Sequence, residues 1–227
     1  AAWATPVPAL RFGLRMLAAG IVVAGAAVGS ATGCAASAVV LLCSLAAGRV
    51  RRRGLGIAGL AVAAALVTGT VWAVAANVLP AGLTSALAGP LAEHRVQLWR
   101  DAARLAHRNT ALGVGPGRFG ELSGTAPAAL LPDGKPHSAP LQQAAEQGLV
   151  GVLLLATAFC WILYALWRSP RSTPVTLTAG AALTALAAIA AVGNALSFTT
   201  VSAGAGLLAG LATARPWVAG VAAVPGG

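Results

Sequence analysis

Acidic side chains are almost missing from this chain: five carboxylates in 227 residues, with charged residues of both signs making up only 9%. Ordinary soluble domains carry about 25%, so that class is excluded. Cysteine is scarce too. Cys34, Cys43 and Cys160 fall within apolar segments, without metal-ligand spacing, and read as small packing residues. No HExxH, no DxD pair, no paired-carboxylate spacing and no Ser-His-Asp order is present. Metal-assisted hydrolysis, metal-dependent sugar-nucleotide transfer and triad chemistry therefore lack their usual residues, and neither a metal nor a cofactor is expected.

What the chain does contain is apolar sequence. Hydrophobic residues make up 58% and the mean hydropathy is +0.81, as in a polytopic membrane protein. The formal charge of +10 does not indicate nucleic acid. Nine of the cations are arginines in short clusters between apolar runs: Arg11, Arg15, four between Arg49 and Arg53, Arg168, Arg171 and Arg215. No acid lies among them. That distribution is the positive-inside pattern.

The runs predict an all-α bundle of about six spans. Met16 to Gly48 as one helix would be about 50 Å long, against a hydrocarbon core of about 30 Å, so it reads as a hairpin turning near Ser30–Gly33. A third span covers Leu55–Leu79 and ends at Pro80. The return span is Gly148–Trp167. Two more follow at about Val175–Val192 and Ala195–Thr213, joined at Asn194. The expected organisation is three helices in 1–79, a large extracytoplasmic loop in 80–147 and three helices in 148–227. The chain starts at Ala1 and is expected to be a C-terminal portion of a longer protein.

All five carboxylates (Glu93, Asp101, Glu121, Asp133, Glu146) and all three histidines (His94, His107, His137) fall in the 93–146 stretch. Polar chemistry is expected there. Glu93–Arg108 reads as an amphipathic helix. At ~100° per residue, Trp99, Ala102 and Ala106 fall within ~40° of Arg95, which therefore sits within the apolar face. Arg100, Arg104, His107, Arg108, Gln97 and Asp101 form the polar side. Two readings of Arg95 stand: it snorkels to solvent near the helix start, or it faces an anion inside the bundle. The Arg100, Arg104 and Arg108 stripe reads as solvated or headgroup-facing. Gly115, Gly117 and Gly120 spell GxGxxG, but no strand precedes them, so a dinucleotide site is excluded. The glycines form a turn that stops the helix or offers amides to phosphate. Pro132-Asp-Gly-Lys135 is a β-turn signal. Beyond it Ser138 is placed to cap a helix running through Leu141, Gln142, Gln143 and Glu146. His137 is then at a helix N-terminus, a position that favours anions, with a side chain able to take and return a proton near neutral pH.

Three blocks, Arg95-x-x-x-Trp99, Leu112-Gly-Val-Gly-Pro-Gly-Arg-Phe119 and His137-Ser-x-x-Leu141-Gln-x-x-x-Glu146-x-Gly148-Leu-x-Gly151, resemble the O-antigen ligase/polymerase family of bacterial surface polysaccharide assembly. Ser30-Ala-Thr-Gly33 resembles that family's earlier Ser-Arg-Gly segment, with Thr32 in place of arginine. Ser138 likewise stands where asparagine is usual. The resemblance implies a metal-independent, inverting glycosyltransferase on the outer face of the cytoplasmic membrane. Its donor would be a glycan on undecaprenyl diphosphate, and its acceptor a lipid or another glycan. His137 would be the catalytic base. Arg95, with Arg100 and Arg118, would bind the diphosphate, and Gln142 and Glu146 would orient the acceptor or the histidine. The alternatives are a non-catalytic module that binds the lipid carrier or a partner, and a transporter. Transporters place ionisable groups mid-span, and the predicted spans hold only Asn77 and Asn194, near their ends.

Overall fold

The computed structural model describes residues 52–78, 90–125 and 134–214. The expected N-terminal hairpin, the Ser30–Gly33 segment with Thr32, and Cys34 and Cys43 lie outside those residues. The described residues are helical, with no strand among them. In chain order the elements are α1 (Arg53–Ala75), α2 (Pro90–Arg108), a single turn α3 (Phe119–Leu122), α4 (Ala139–Arg168), α5 (Thr173–Val192), a 3₁₀ turn (Ala195–Ser197) and α6 (Thr199–Thr213).

Three of these helices, α1, α4 and α5, are long and apolar enough to cross a membrane. Their surfaces agree with that. Leu55, Val62 and Leu66 on α1, Leu153, Leu154, Trp161, Tyr164 and Trp167 on α4, and Leu207 and Leu211 on α6 are all exposed, a belt that lipid rather than water would cover. Three boundaries differ from expectation. α1 stops at Ala75, four residues before Leu79. Asn77 there takes φ +57°, ending the helix before Pro80 is reached. α6 has fifteen residues, about 22 Å long and short of a 30 Å core, because the chain after Asn194 first makes the 3₁₀ turn. α2 also starts earlier than Glu93, at Pro90, a residue whose fixed φ suits a first helical turn.

α1, α4, α5 and α6 alternate in direction, so the bundle has two ends, each with its own core. At one end Ile57, Leu163, Leu166, Leu177, Leu183 and Ala212 pack together. At the other, Val71, Val74, Leu98, Trp99, Ala102, Phe119, Leu141, Ala145 and Ala191 do. α2 lies across this second end, against α1 and α4.

The first end is tied by Arg53. Its Nη1 donates to the carbonyls of Trp167 (3.2 Å) and Ser169 (2.6 Å), and its Nη2 to that of Arg171. These carbonyls belong to the α4–α5 turn, where helix-end acceptors would otherwise be left open. Ser169 Oγ in turn donates to Ala212 O at 2.7 Å, which draws the end of α6 to the same point. Arg53, Arg168 and Arg171 therefore share one end of the bundle, beside the Tyr164–Trp167 ring pair, and α2 occupies the other. Arg53→Ala is expected to lower thermal stability in detergent by about 1–2 kcal/mol, discounted for the side chain's partial exposure. The neighbouring Arg52→Ala should leave the melting temperature within about a degree of wild type.

Candidate functional site

The site end of the molecule is organised by a break in α4. Gly148 takes φ +62° and ψ −151°, so the helix is two helices joined end to end. In an unbroken helix the carbonyls of Ala145 and Glu146 would accept from Leu149 and Val150. Here they accept instead from the amides of Val114 and Gly115, each at 2.9 Å, while the Leu149 amide donates to Thr110 O at 2.7 Å. The turn that ends α2 thus supplies the partners that the break removes. The fit requires glycine on both sides. A Cβ on Gly148 would lie 2.5 Å from the Ala111 carbonyl, and one on Gly113 (φ +68°) 2.4 Å from the Glu146 carbonyl carbon. The glycine-rich turn is therefore a backbone interlock as well as a helix stop.

α2 presents Leu98, Trp99, Ala102 and Ala106 to the core, with Asp101 buried beside them. The apolar face is the expected one, but Asp101 does not belong to the wet side. Its carboxylate accepts from Arg104 Nη2, from Ser123 Oγ at 2.7 Å and from the Thr125 amide at 3.2 Å. Burial by itself pushes the Asp101 pKa up, yet the bonds from Ser123, Arg104 and Thr125 outweigh it and hold the group below its ordinary value. Asp101 is the post to which the segment after α3 is fastened. The Ser123-Gly-Thr125 cluster is the one signal of this in the sequence.

Between α2, the end of α1 and the break in α4 lies a cavity of about 1030 Å³. Trp72, Ala75, Ala103, Leu149 and Val152 make much of its wall apolar, and Gln97, Arg100, Arg104 and His107 add polar groups. Arg100 Nη2 donates to Asn77 Oδ1 at 2.9 Å, a neutral partner, and no acidic partner of this guanidinium stands among the described residues. Asp101, the one acid on the wall, is committed to Arg104. The cavity accordingly offers apolar surface and one net positive group. Helical phase had put Gln97, Arg104 and His107 on a polar side without showing that a cavity adjoins it.

A second, smaller cleft of about 180 Å³ lies between the N-terminal half of α4 and the α5–α6 junction, lined by Ala139, Gln142, Gln143, Leu155, Gly193, Asn194, Leu196 and Ser197. Arg95 reaches its margin: Nη1 donates to Val192 O at 3.3 Å, at the C-terminal end of α5 where the helix dipole is negative. Arg95 is exposed. It lies far enough toward the start of α2 to escape the core that encloses Trp99 and Ala102.

The remaining predicted residues spread around these two spaces. His137 is half-buried and takes φ +52°, a left-handed conformation that is uncommon outside glycine but that histidine, like asparagine and aspartate, adopts more readily than most. It immediately precedes Ser138, the N-cap residue of α4. Ser138 is fully buried, but its hydroxyl makes no capping bond and has no partner among the described residues. The expected side-chain cap is not made; only its carbonyl accepts, from the Gln142 amide at 2.9 Å. Gln142 Nε2 faces both oxygens of the buried Glu146 at 3.4–3.5 Å. Arg118 is exposed. It caps α3, bonds Val114 O at 3.4 Å and pairs with Glu121 at 3.8 Å. Arg100 therefore faces the larger cavity, Gln142 lines the smaller, Arg95 borders the smaller, and Arg118 lines neither.

A family model described as O-antigen ligase aligns with residues 16–156, more than half of the chain. No curated protein and no solved structure matches.

Two outcomes follow from this geometry. Gly148→Ala combines a left-handed backbone with a clash on the 109–115 turn. It should cost about 3 kcal/mol or more and expose the 109–117 turn to limited proteolysis. Asp101 has a lowered native pKa, so its contribution is complete above the unfolded value of about 3.9 and fades as pH falls through the native one. The difference in melting temperature between wild type and Asp101→Asn should be constant from pH 7 to 5 and shrink below about pH 4.

Proposed function

The chain belongs to the O-antigen ligase family, and on that premise we propose that it transfers a glycan from an undecaprenyl-diphosphate carrier to a lipid or glycan acceptor. Transfer would take place at the outer face of the bacterial cytoplasmic membrane. The observation that carries this reading is the larger cavity. A lipid diphosphate has an apolar tail and a doubly charged head, and the cavity pairs apolar walls with Arg100, which among the described residues meets only a neutral amide.

The orientation rests on the arrangement of charge. Arg53, Arg168 and Arg171 gather at one end beside exposed Trp161, Tyr164 and Trp167, as at a membrane interface. Excess arginine marks the cytoplasmic side, so α2 and the cavity lie on the opposite, extracytoplasmic side. α4 fits that frame. From Leu149 to Arg168 it runs twenty residues, about 30 Å, one hydrocarbon thickness.

In the proposed reaction the acceptor hydroxyl attacks the anomeric carbon of the donor. The bond from that carbon to the diphosphate oxygen breaks, and the carrier leaves with the electron pair. Attack from the face opposite the leaving group inverts the anomeric centre. His137 takes the acceptor proton, and Arg100 stabilises the charge that grows on the departing diphosphate. Arg95, at the margin of the smaller cleft, and Arg118, on the surface, offer further cations, and Gln142 with Glu146 orients the acceptor or the histidine. None of this calls on a metal ion.

One observation favours a second reading, in which the chain binds the carrier without turnover: neither His137 nor Arg95 lines the larger cavity. A transfer assay with lipid-linked oligosaccharide, run beside a binding assay with undecaprenyl diphosphate, separates the two. Catalysis predicts that His137→Ala lowers kcat by about 10²-fold or more with carrier binding intact, and that Arg100→Ala weakens both. Carrier binding that depends on Arg100, with no transfer by the wild-type chain, would establish the second reading instead. Unchanged turnover in His137→Ala would remove the base.

A further inference from the structure

The smaller cleft is not needed to hold a diphosphate, and its chemistry differs from that of the cavity. We propose that it is a subsite for one uncharged sugar ring of the glycan; the proposal rests on the glycan-transfer reading above. Among the described residues its polar lining is three carboxamides and a hydroxyl, from Gln142, Gln143, Asn194 and Ser197, with no charged side chain. A carboxamide carries a donor and an acceptor on one planar fork. That fork matches neighbouring hydroxyls on a pyranose, each of which both donates and accepts. A cation in the lining would favour an acidic sugar, and a carboxylate an amino sugar. Leu155 and Leu196 supply apolar surface for the C–H face of the ring.

Size and placement agree. At about 180 Å³ the cleft is smaller than the ~300–1,000 Å³ of sites for larger ligands, so it holds a single ring and not a chain. The polar groups are partly arranged in advance. Ser197 Oγ donates to Asn194 Oδ1, and Gln142 is turned toward Glu146. Ala139, on the wall, is two residues beyond His137, and Gly193, also on the wall, follows the Val192 carbonyl that Arg95 holds. A ring bound there would sit between the histidine and an arginine.

The direct test is saturation-transfer NMR of free glucose, galactose, N-acetylglucosamine and glucuronate against the full chain in detergent. At least one neutral sugar should receive saturation and glucuronate should receive none. The signal should fall at least fivefold in Ser197→Ala and in Gln143→Ala, two partly or fully exposed positions where alanine is structurally mild. In the transfer assay the same variants should raise the KM for the glycan about tenfold, with kcat within threefold of wild type. Undecaprenyl diphosphate without sugar should bind as before. Absence of any neutral-sugar signal from the wild type, or equal signals from wild type and both variants, would overturn the subsite. Neutral-sugar binding that is lost in the variants, in a chain that transfers nothing, would sustain the subsite and sink the transfer reading alone.

Discussion

A helix that enters a membrane cannot leave its peptide groups open, because lipid offers nothing to replace a lost hydrogen bond. α4 breaks this rule at Gly148 and is repaired by another part of the chain. The carbonyls of Ala145 and Glu146 are taken by Val114 and Gly115, and the Leu149 amide by Thr110. Much else depends on this exchange. It fixes the end of α2 to the point where α4 becomes lipid-exposed, and it sets the wall of the larger cavity, which Gly148, Leu149 and Val152 share with the α2 residues. An unbroken α4 would recover its own bonds and release α2, and the cavity would lose one side.

Charge on α2 is then apportioned by what each arginine can reach. Arg104 finds the carboxylate of Asp101 and is neutralised. Among the described residues Arg100 finds only the amide of Asn77, and Arg95 only the last carbonyl of α5. Those two lie five residues apart, about 140° around the helix, so they address different sides of it. Arg100 thus faces the larger cavity and Arg95 the margin of the smaller cleft, each without an acidic partner among the described residues. Asp101 enables this by absorbing Arg104 while holding Ser123 and Thr125.

Hydropathy and arginine placement showed that the chain is helical and membrane-bound, because both depend on composition along a segment. Helical phase found the buried face of α2 through Leu98, Trp99, Ala102 and Ala106. It misjudged Asp101, because phase cannot see that Ser123 and Thr125 stand ready to bond a carboxylate turned inward. Glycine spacing pointed to a turn at 113–117 but not to its partner, since the reason for Gly113 lies at Glu146 and the reason for Gly148 at Ala111. The end of α1 came early for the same kind of reason: Asn77 gives its side chain to Arg100, a residue that no local pattern in α1 names. The grouping of site residues was the least legible part. Arg95, Arg100 and Arg118 look alike as basic residues near one histidine, yet they fall on different sides of the interlocked backbone.

The N-terminal half of α4 shows how the two spaces could serve one reaction. Ala144 and Gly148, four residues apart, line the larger cavity, while Ala139, Gln142 and Gln143 line the smaller cleft. These sets occupy opposite sides of the same short helix. On the proposed reading, a lipid-linked sugar with its diphosphate near Arg100 and its ring at Gln142 and Gln143 must pass around that helix. Its body is about 10 Å across. The shortest route avoiding the interlock at the C-terminal end of this half-helix goes past its N-terminus, where His137 lies with the Ser138 hydroxyl, which has no partner among the described residues. The bond to be exchanged would then fall at the histidine although the histidine lines neither space, and the left-handed backbone at His137 becomes the means of turning the chain there. On that reading His137 would act at a junction between the two spaces and not within either one.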